Sequence, residues 1–129
     1  MGNPIVGALE IIGIRDKGIL DKERLLLRVL EPVKLENYVV INVKSTNGDK
    51  LTILNDKVFW FPVLLVNSGE YIRLYTKSGS YEKETGKYGE VPAIFHDFYW
   101  GLDVPIWDSV KSNAVTIFKL NTWNTAYLT

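Results

Sequence analysis

The chain has no cysteine, a single histidine (His96) and one methionine in 129 residues. Without thiols there can be no disulfides, no thiolate catalysis and no Cys-based zinc or iron–sulfur site. One histidine rules out His-rich zinc sites and two-histidine facial triads. An excess of charge of one sign is also missing, because 15 basic and 15 acidic side chains cancel. A nucleic-acid footprint would need surplus Lys and Arg to neutralise phosphates. Long hydrophobic runs are absent too. The longest, 58–66 (VFWFPVLLV), is interrupted by Pro62 and is far shorter than the ~20 residues of a membrane-spanning helix. The N-terminal MGNPIVGALEIIG has neither the basic segment nor the long apolar stretch of a secretory leader. That fits a cytoplasmic protein, or a secreted one whose leader has been removed. No P-loop and no Gly-x-Gly-x-x-Gly occurs, so the common nucleotide-binding signatures are missing.

What the chain does have is apolar bulk. Hydrophobic residues make up 47%, among them four Trp, seven Tyr and five Phe. That is enough to build a core in a single domain spanning 1–129. The patterning is of period two. In Tyr38–Lys44, Val39, Ile41 and Val43 form one apolar row. In Gly69–Lys77, Ile72 and Leu74 oppose Tyr71, Arg73 and Tyr75. In Ala114–Leu120, Val115 and Ile117 oppose Thr116 and Phe118. Alternation of this kind marks half-buried strands. Turn chemistry separates them at Asn47-Gly48-Asp49, Asn67-Ser68-Gly69, Ser78-Gly79-Ser80 and Thr85-Gly86. Asp21–Glu31 admits a short helix, but its Leu run lacks an i, i+4 stripe and Pro32 stops it, which favours a strand. The economical expectation pairs 24–30 with Tyr38–Lys44 as a hairpin. Ser78–Val91, polar and Gly-rich, reads as a long connection or a β-ribbon. Phe59-Trp60-Phe61-Pro62 reads as a core strand ending at an edge. The expected fold is all-β: an immunoglobulin-like β-sandwich with an extra N-terminal strand or hairpin over 1–35. The apolar stretch Ile5–Ile14 offers an edge for homo-oligomer formation unless it folds onto its own sheet.

The chemistry-bearing residues concentrate in Tyr88–Val110, which holds Phe95, Phe98, Tyr99, Trp100 and Trp107, the acids Glu90, Asp97, Asp103 and Asp108, and no Lys or Arg. Aromatics interleaved with carboxylates suit a sugar-binding face, with rings stacking on apolar sugar faces and carboxylates accepting hydroxyl hydrogen bonds. On this reading the candidate binding residues are Tyr99, Trp100, Trp107, Asp97 and Asp103. The competing reading puts the two tryptophans in the core, where large aromatics are mostly found. Asp97, Asp103 and Asp108 also offer a paired-carboxylate or a calcium reading, although the spacing matches no DxDxDG loop. His96-Asp97 invites a general-base assignment, but no nucleophile motif accompanies it. A structural histidine is favoured, and no catalytic residue, metal ligand or cofactor is assigned.

From about Glu36 to Phe118 the chain resembles the lamin tail domain in its bacterial type, an immunoglobulin-like β-sandwich. The resemblance rests on Tyr38-Val39-Val40-Ile41, then Phe61-Pro62, Gly69-Glu70 and the strand 71–76 (YIRLYT). Phe98-Tyr99-Trp100-Gly101, Pro105-Ile106-Trp107 and 114–118 (AVTIF) follow in order. Val43 stands where the family carries Asn, and the first ~35 residues have no counterpart in it. The resemblance implies a non-catalytic binding module that docks proteins or other macromolecules, in bacteria often beside secreted or membrane-associated hydrolases. It carries over no catalytic residues. Gly69 would form a tight turn before its strand, with Glu70 satisfying backbone donors there.

Overall fold

Which side chains face inward decides the architecture, and in the computed structural model they sort into two layers. The structure describes residues 2–46, 50–107 and 114–128, leaving out the side chains of 44–46 and 50–57. Strands β1 (Ile5–Val6), β2 (Leu9–Arg15), β3 (Arg24–Val29), β8 (Tyr71–Tyr75), β9 (Glu82–Tyr88) and β10 (Val91–Tyr99) form a six-stranded sheet in the order β1-β2-β3-β8-β10-β9. Strands β5 (Tyr38–Thr46), β6 (Lys50–Trp60) and β11 (Ala114–Lys119) form a second sheet in the order β11-β5-β6. Short strands β4 (Val33–Lys34) and β7 (Leu65–Val66) pair beside them. Pairing is antiparallel except between β8 and β10. There the chain first runs out to the edge as β9 and then returns to fill the gap.

The two sheets close on one apolar interior. Leu9, Leu25, Leu27, Ile72, Leu74 and Phe98 come from the larger sheet, and Tyr38, Val40 and Ile117 from the smaller. Trp107 joins them from the connection after β10. The alternation in β8 and β11 is as the sequence predicts: Ile72 and Leu74 face in, and Phe118 faces out. In β5 the parity is reversed. Tyr38 and Val40 point into the main interior, and a bulge between Ile41 and Val43 lets neighbouring residues be buried on both faces. Phe59 and Phe61 face the interior as expected of a core strand, whereas Trp60 is on the outer side and about 44% exposed.

The N-terminal segment is built into the sheet as well as leading into it. Ile5–Val6 folds back on β2, and β2 and β3 make the expected hairpin. The expected 24–30 to 38–44 hairpin does not form. β3 pairs with β2 and β8 instead, and the chain crosses to the other sheet through β4 and a 3-10 turn, Leu35–Asn37. The alternating Leu run explains this, since Leu25, Leu27 and Val29 complete the inner face beside Ile72 and Leu74. Ser78–Val91 is a β-ribbon, β9 with the start of β10. The alternating charges of β9 cover its free edge, a composition that discourages pairing with another chain. The Asn47-Gly48-Asp49 turn lies outside the described residues.

A fully buried acid, Glu23, ties the larger sheet to the connection after β10. Its carboxylate accepts hydrogen bonds from Gly18 N–H (2.9 Å), Thr76 Oγ1–H (2.5 Å), Ile106 N–H (3.0 Å) and Trp107 N–H (3.2 Å). A carboxylate survives burial only when its lone pairs are occupied in this way. The arrangement pins the connection carrying Trp107 to the turn before β3.

Candidate functional site

Alternation puts every second residue of β3, β8, β10 and β9 on the side of the large sheet away from the smaller one. The register brings Arg24, Leu26 and Arg28 beside Tyr75, Arg73 and Tyr71, and these beside Tyr99, Asp97 and Phe95. Glu82, Glu84 and Tyr88 follow on β9. The result is a ladder of aromatic rings and guanidinium groups. Tyr71 stacks on Tyr88 (4.5 Å between centroids) and on Phe95 (5.5 Å), and Tyr75 stacks on Tyr99 (5.3 Å). Arg73 lies over Phe95 at 4.2 Å, Arg28 over both Tyr71 and Tyr88, and Arg24 over Tyr75. A second, smaller apolar cluster (Leu26, Tyr71, Phe95) sits beneath these guanidinium groups.

Asp97 is the electrostatic centre of this face. Arg73 grips it through two bonds, Nε to Oδ1 at 2.5 Å and Nη2 to Oδ2 at 2.8 Å, and its Nη2 also reaches Glu84 at 2.7 Å. Burial pushes the Asp97 carboxyl above the ordinary aspartate range. A hydrogen bond with Glu84 adds to this, and together they outweigh the pull of Arg73. Glu84 is lowered, first by its hydrogen bond with Asp97. One guanidinium, that of Arg73, thus serves both carboxyls. The remaining arginines are also paired, Arg24 with Asp16 and Arg28 with Glu10.

The candidates from the sequence fall into three groups. Tyr99 and Asp97 lie together on this outer face. Trp107 is in the interior, 1% exposed, with half-buried Trp100 packed edge-on against it at 5.8 Å, which is the core position their bulk suggested. Asp103 is exposed in the connection after β10, apart from the ladder. Asp108 lies outside the described residues. Among the described residues, no group of three or more His, Asp or Glu side chains is arranged to hold a metal ion. Nothing local in the sequence marks Arg24, Arg28 and Tyr88 as part of this face; only strand pairing joins them to the row of Tyr71, Arg73 and Tyr75.

His96 and Asp97 are neighbours in one strand and so point to opposite faces. His96 is buried on the inner side with both ring nitrogens engaged. Tyr81 Oη lies 2.8 Å from Nδ1 and Nε2 lies 2.8 Å from Glu70 Oε1; a neutral ring that donates Nε2–H to the carboxylate accepts the phenol proton at Nδ1. Glu70 also accepts Asn67 N–H at 2.8 Å, the role in the Gly69 turn that its position implied. Partial burial alone would raise the Glu70 carboxyl. The Asn67 and His96 donors, with Lys83 nearby, instead hold it below the usual glutamate range.

No helix among the described residues is long and apolar enough to cross a membrane. In comparisons with known proteins, the chain matches no protein family, no curated protein and no solved structure.

Proposed function

We propose that this chain is a non-catalytic binding module, an immunoglobulin-like β-sandwich of lamin-tail type, and that it docks a protein partner on the outer face of its six-stranded sheet. The observation that carries this reading is the composition of that face: Tyr71, Tyr75, Tyr88 and Tyr99 with Arg24, Arg28 and Arg73, already stacked and paired. Tyrosine and arginine dominate the hot spots of protein interfaces, while lysine and glutamate are depleted in interface cores. Side chains already held in one conformation lose little further entropy on binding.

A carbohydrate-binding face using Phe95–Trp107, with or without calcium, is the other reading the sequence raises. Sugar stacking asks for ring faces open to solvent. Here Tyr75 and Tyr99 cover one another, Tyr71 lies against Tyr88 and Phe95, and Trp107 is interior. The protein-docking reading is therefore preferred.

Photo-crosslinking tests it. A photoreactive residue at position 99 should trap a discrete partner in cells, and excess unlabelled protein should compete the adduct away. The same residue at position 63, where Val63 is 81% exposed, should not trap it. Identical adducts at both positions, or no competable adduct at 99, would refute the docking face.

A further inference from the structure

The Tyr81–His96–Glu70 chain takes no part in the docking face and has a geometry of its own. The Tyr81 phenol lies just before β9, about 42% exposed, while the imidazole that holds it is buried. Two hydrogen bonds of 2.8 Å run in series, phenol to imidazole and imidazole to carboxylate. With Nε2–H committed to Glu70, Nδ1 is left as the acceptor, with its lone pair directed at the phenol proton. The Tyr81 ring is fixed against Phe98 at 5.1 Å and lies nearly parallel to the His96 ring. These are the geometric requirements for an activated nucleophile: a nucleophile within hydrogen-bond reach of a base, and a third group orienting that base.

We infer that Tyr81 is the reactive nucleophile of this chain, activated by His96 as general base with Glu70 as the positioning residue, and that it takes acyl groups from activated carboxylic esters. In the step, Tyr81 Oη attacks the ester carbonyl carbon and forms a new C–O bond. Its proton passes to His96 Nδ1, the bond from the carbonyl carbon to the leaving oxygen breaks, and the aryloxide of the activated ester leaves with its electron pair. The imidazolium so formed is faced by the Glu70 carboxylate. The product is an acyl-tyrosine ester, a covalent modification of the chain that needs no turnover and so leaves the non-catalytic reading intact. Burial, with the charges of Glu70 and Asp97, keeps the phenol protonated at rest. Proton removal therefore falls to the base and not to a standing phenolate. The groups facing the pair are Glu70 and, across the strand pairing, Lys83.

The test treats the whole protein with p-nitrophenyl acetate and follows acetylation of each tyrosine by peptide mass spectrometry. Tyr127, 90% exposed, serves as the internal standard. Tyr81 is expected to be acetylated at least about a hundredfold faster than Tyr127, the low end of what a positioned base supplies. Its rate should level off well below the phenol range of about pH 10. Glu70→Gln and His96→Gln should each bring Tyr81 down to the rate of Tyr127, and Tyr81→Phe should remove the site. The tryptophan emission of each variant shows that the fold is retained. Acetylation of Tyr81 no faster than Tyr127 overturns the inference. So does a fast rate that persists in Glu70→Gln or that tracks phenol ionisation. The docking test reads a partner adduct at position 99 and this one reads acetylation of Tyr81 in the isolated protein, so either reading can fail without the other.

Discussion

Substitution of Glu23 probes the fold where the larger sheet meets the connection carrying Trp107. Glu23→Ala strands the Thr76 hydroxyl and the amides of Gly18, Ile106 and Trp107. Each buried donor left without an acceptor costs about 1–3 kcal/mol. Water entering the vacated space recovers part of this, so the total should be about 4 kcal/mol, similar to breaking a buried charge pair. That is a large share of the ~5–15 kcal/mol that holds a domain together. Glu23→Gln is the more informative variant because it keeps the volume and one acceptor oxygen while turning an NH2 group against the remaining donors. It should cost about 2–3 kcal/mol. Urea unfolding followed by tryptophan emission should show a lower midpoint with an unchanged slope. A cycle with Thr76→Val separates the hydrogen bond from the packing. Once the hydroxyl is gone, Glu23→Gln should cost less, with a coupling of about 1 kcal/mol. A Gln variant within about 0.5 kcal/mol of the parent, the range of ordinary surface changes, would refute the argument, as would strict additivity in the cycle.

Two further outcomes follow from the same geometry. Gly7 has φ +56°, and a Cβ there would come within 2.3 Å of the Tyr38 hydroxyl, which accepts Ala8 N–H at 2.9 Å. Gly7→Ala should therefore cost about 1–2 kcal/mol of backbone strain and about as much again for the displaced hydroxyl. Gly18→Ala, at φ +84° in open space, should cost the strain alone, and equal losses in urea unfolding would show that the Tyr38 contact is unimportant. The pH dependence of stability carries the Glu70 signature. Its folded pKa lies below the ordinary value of 4.5, so its contribution is present above about pH 4.5 and is lost as pH falls through the lowered value. The stability gap between the parent and Glu70→Gln should close on acidification. A gap unchanged from about pH 7 to about pH 2 would show that Glu70 gains nothing from its partners in the fold.

The architecture was legible from local pattern where small apolar residues alternate strictly with bulkier or polar ones. β8 and β11 read correctly because Ile72, Leu74, Val115 and Ile117 alternate with residues that never enter the interior. β5 misled because a bulge between Ile41 and Val43 interrupts the period-two rule, and because Val39 and Val40 are equally apolar while only Val40 is fully buried. The hairpin expected between β3 and β5 failed for a related reason. Strand pairing depends on which inner face must be completed, and sequence proximity does not report that. Glu23 carried no local signal at all. Its four donors come from residues up to 84 positions away, so a lone acid before a leucine run looks like any solvated charge.

The same separation of sequence distance from spatial distance governs the two candidate sites. His96 and Asp97 look like a dyad on paper, but strand pleat sends them to opposite faces, where each finds a partner 24 or 26 residues away, Arg73 for one and Glu70 for the other. A six-stranded sheet facing only three strands and a short ribbon also leaves one broad surface without a covering layer. Lysine and threonine would be enough to wet such a surface. This chain instead buries Leu26, Tyr71 and Phe95 there beneath the guanidinium groups of Arg28 and Arg73. Arginine can stack on a ring and hold a carboxylate at the same time, which lysine's compact ammonium cannot do. The outer face is thus a second packed layer without a second sheet, ordered before any partner arrives. That order separates it from ordinary solvated surface, and it is why the docking reading rests on this face and not on the acidic connection around Asp103.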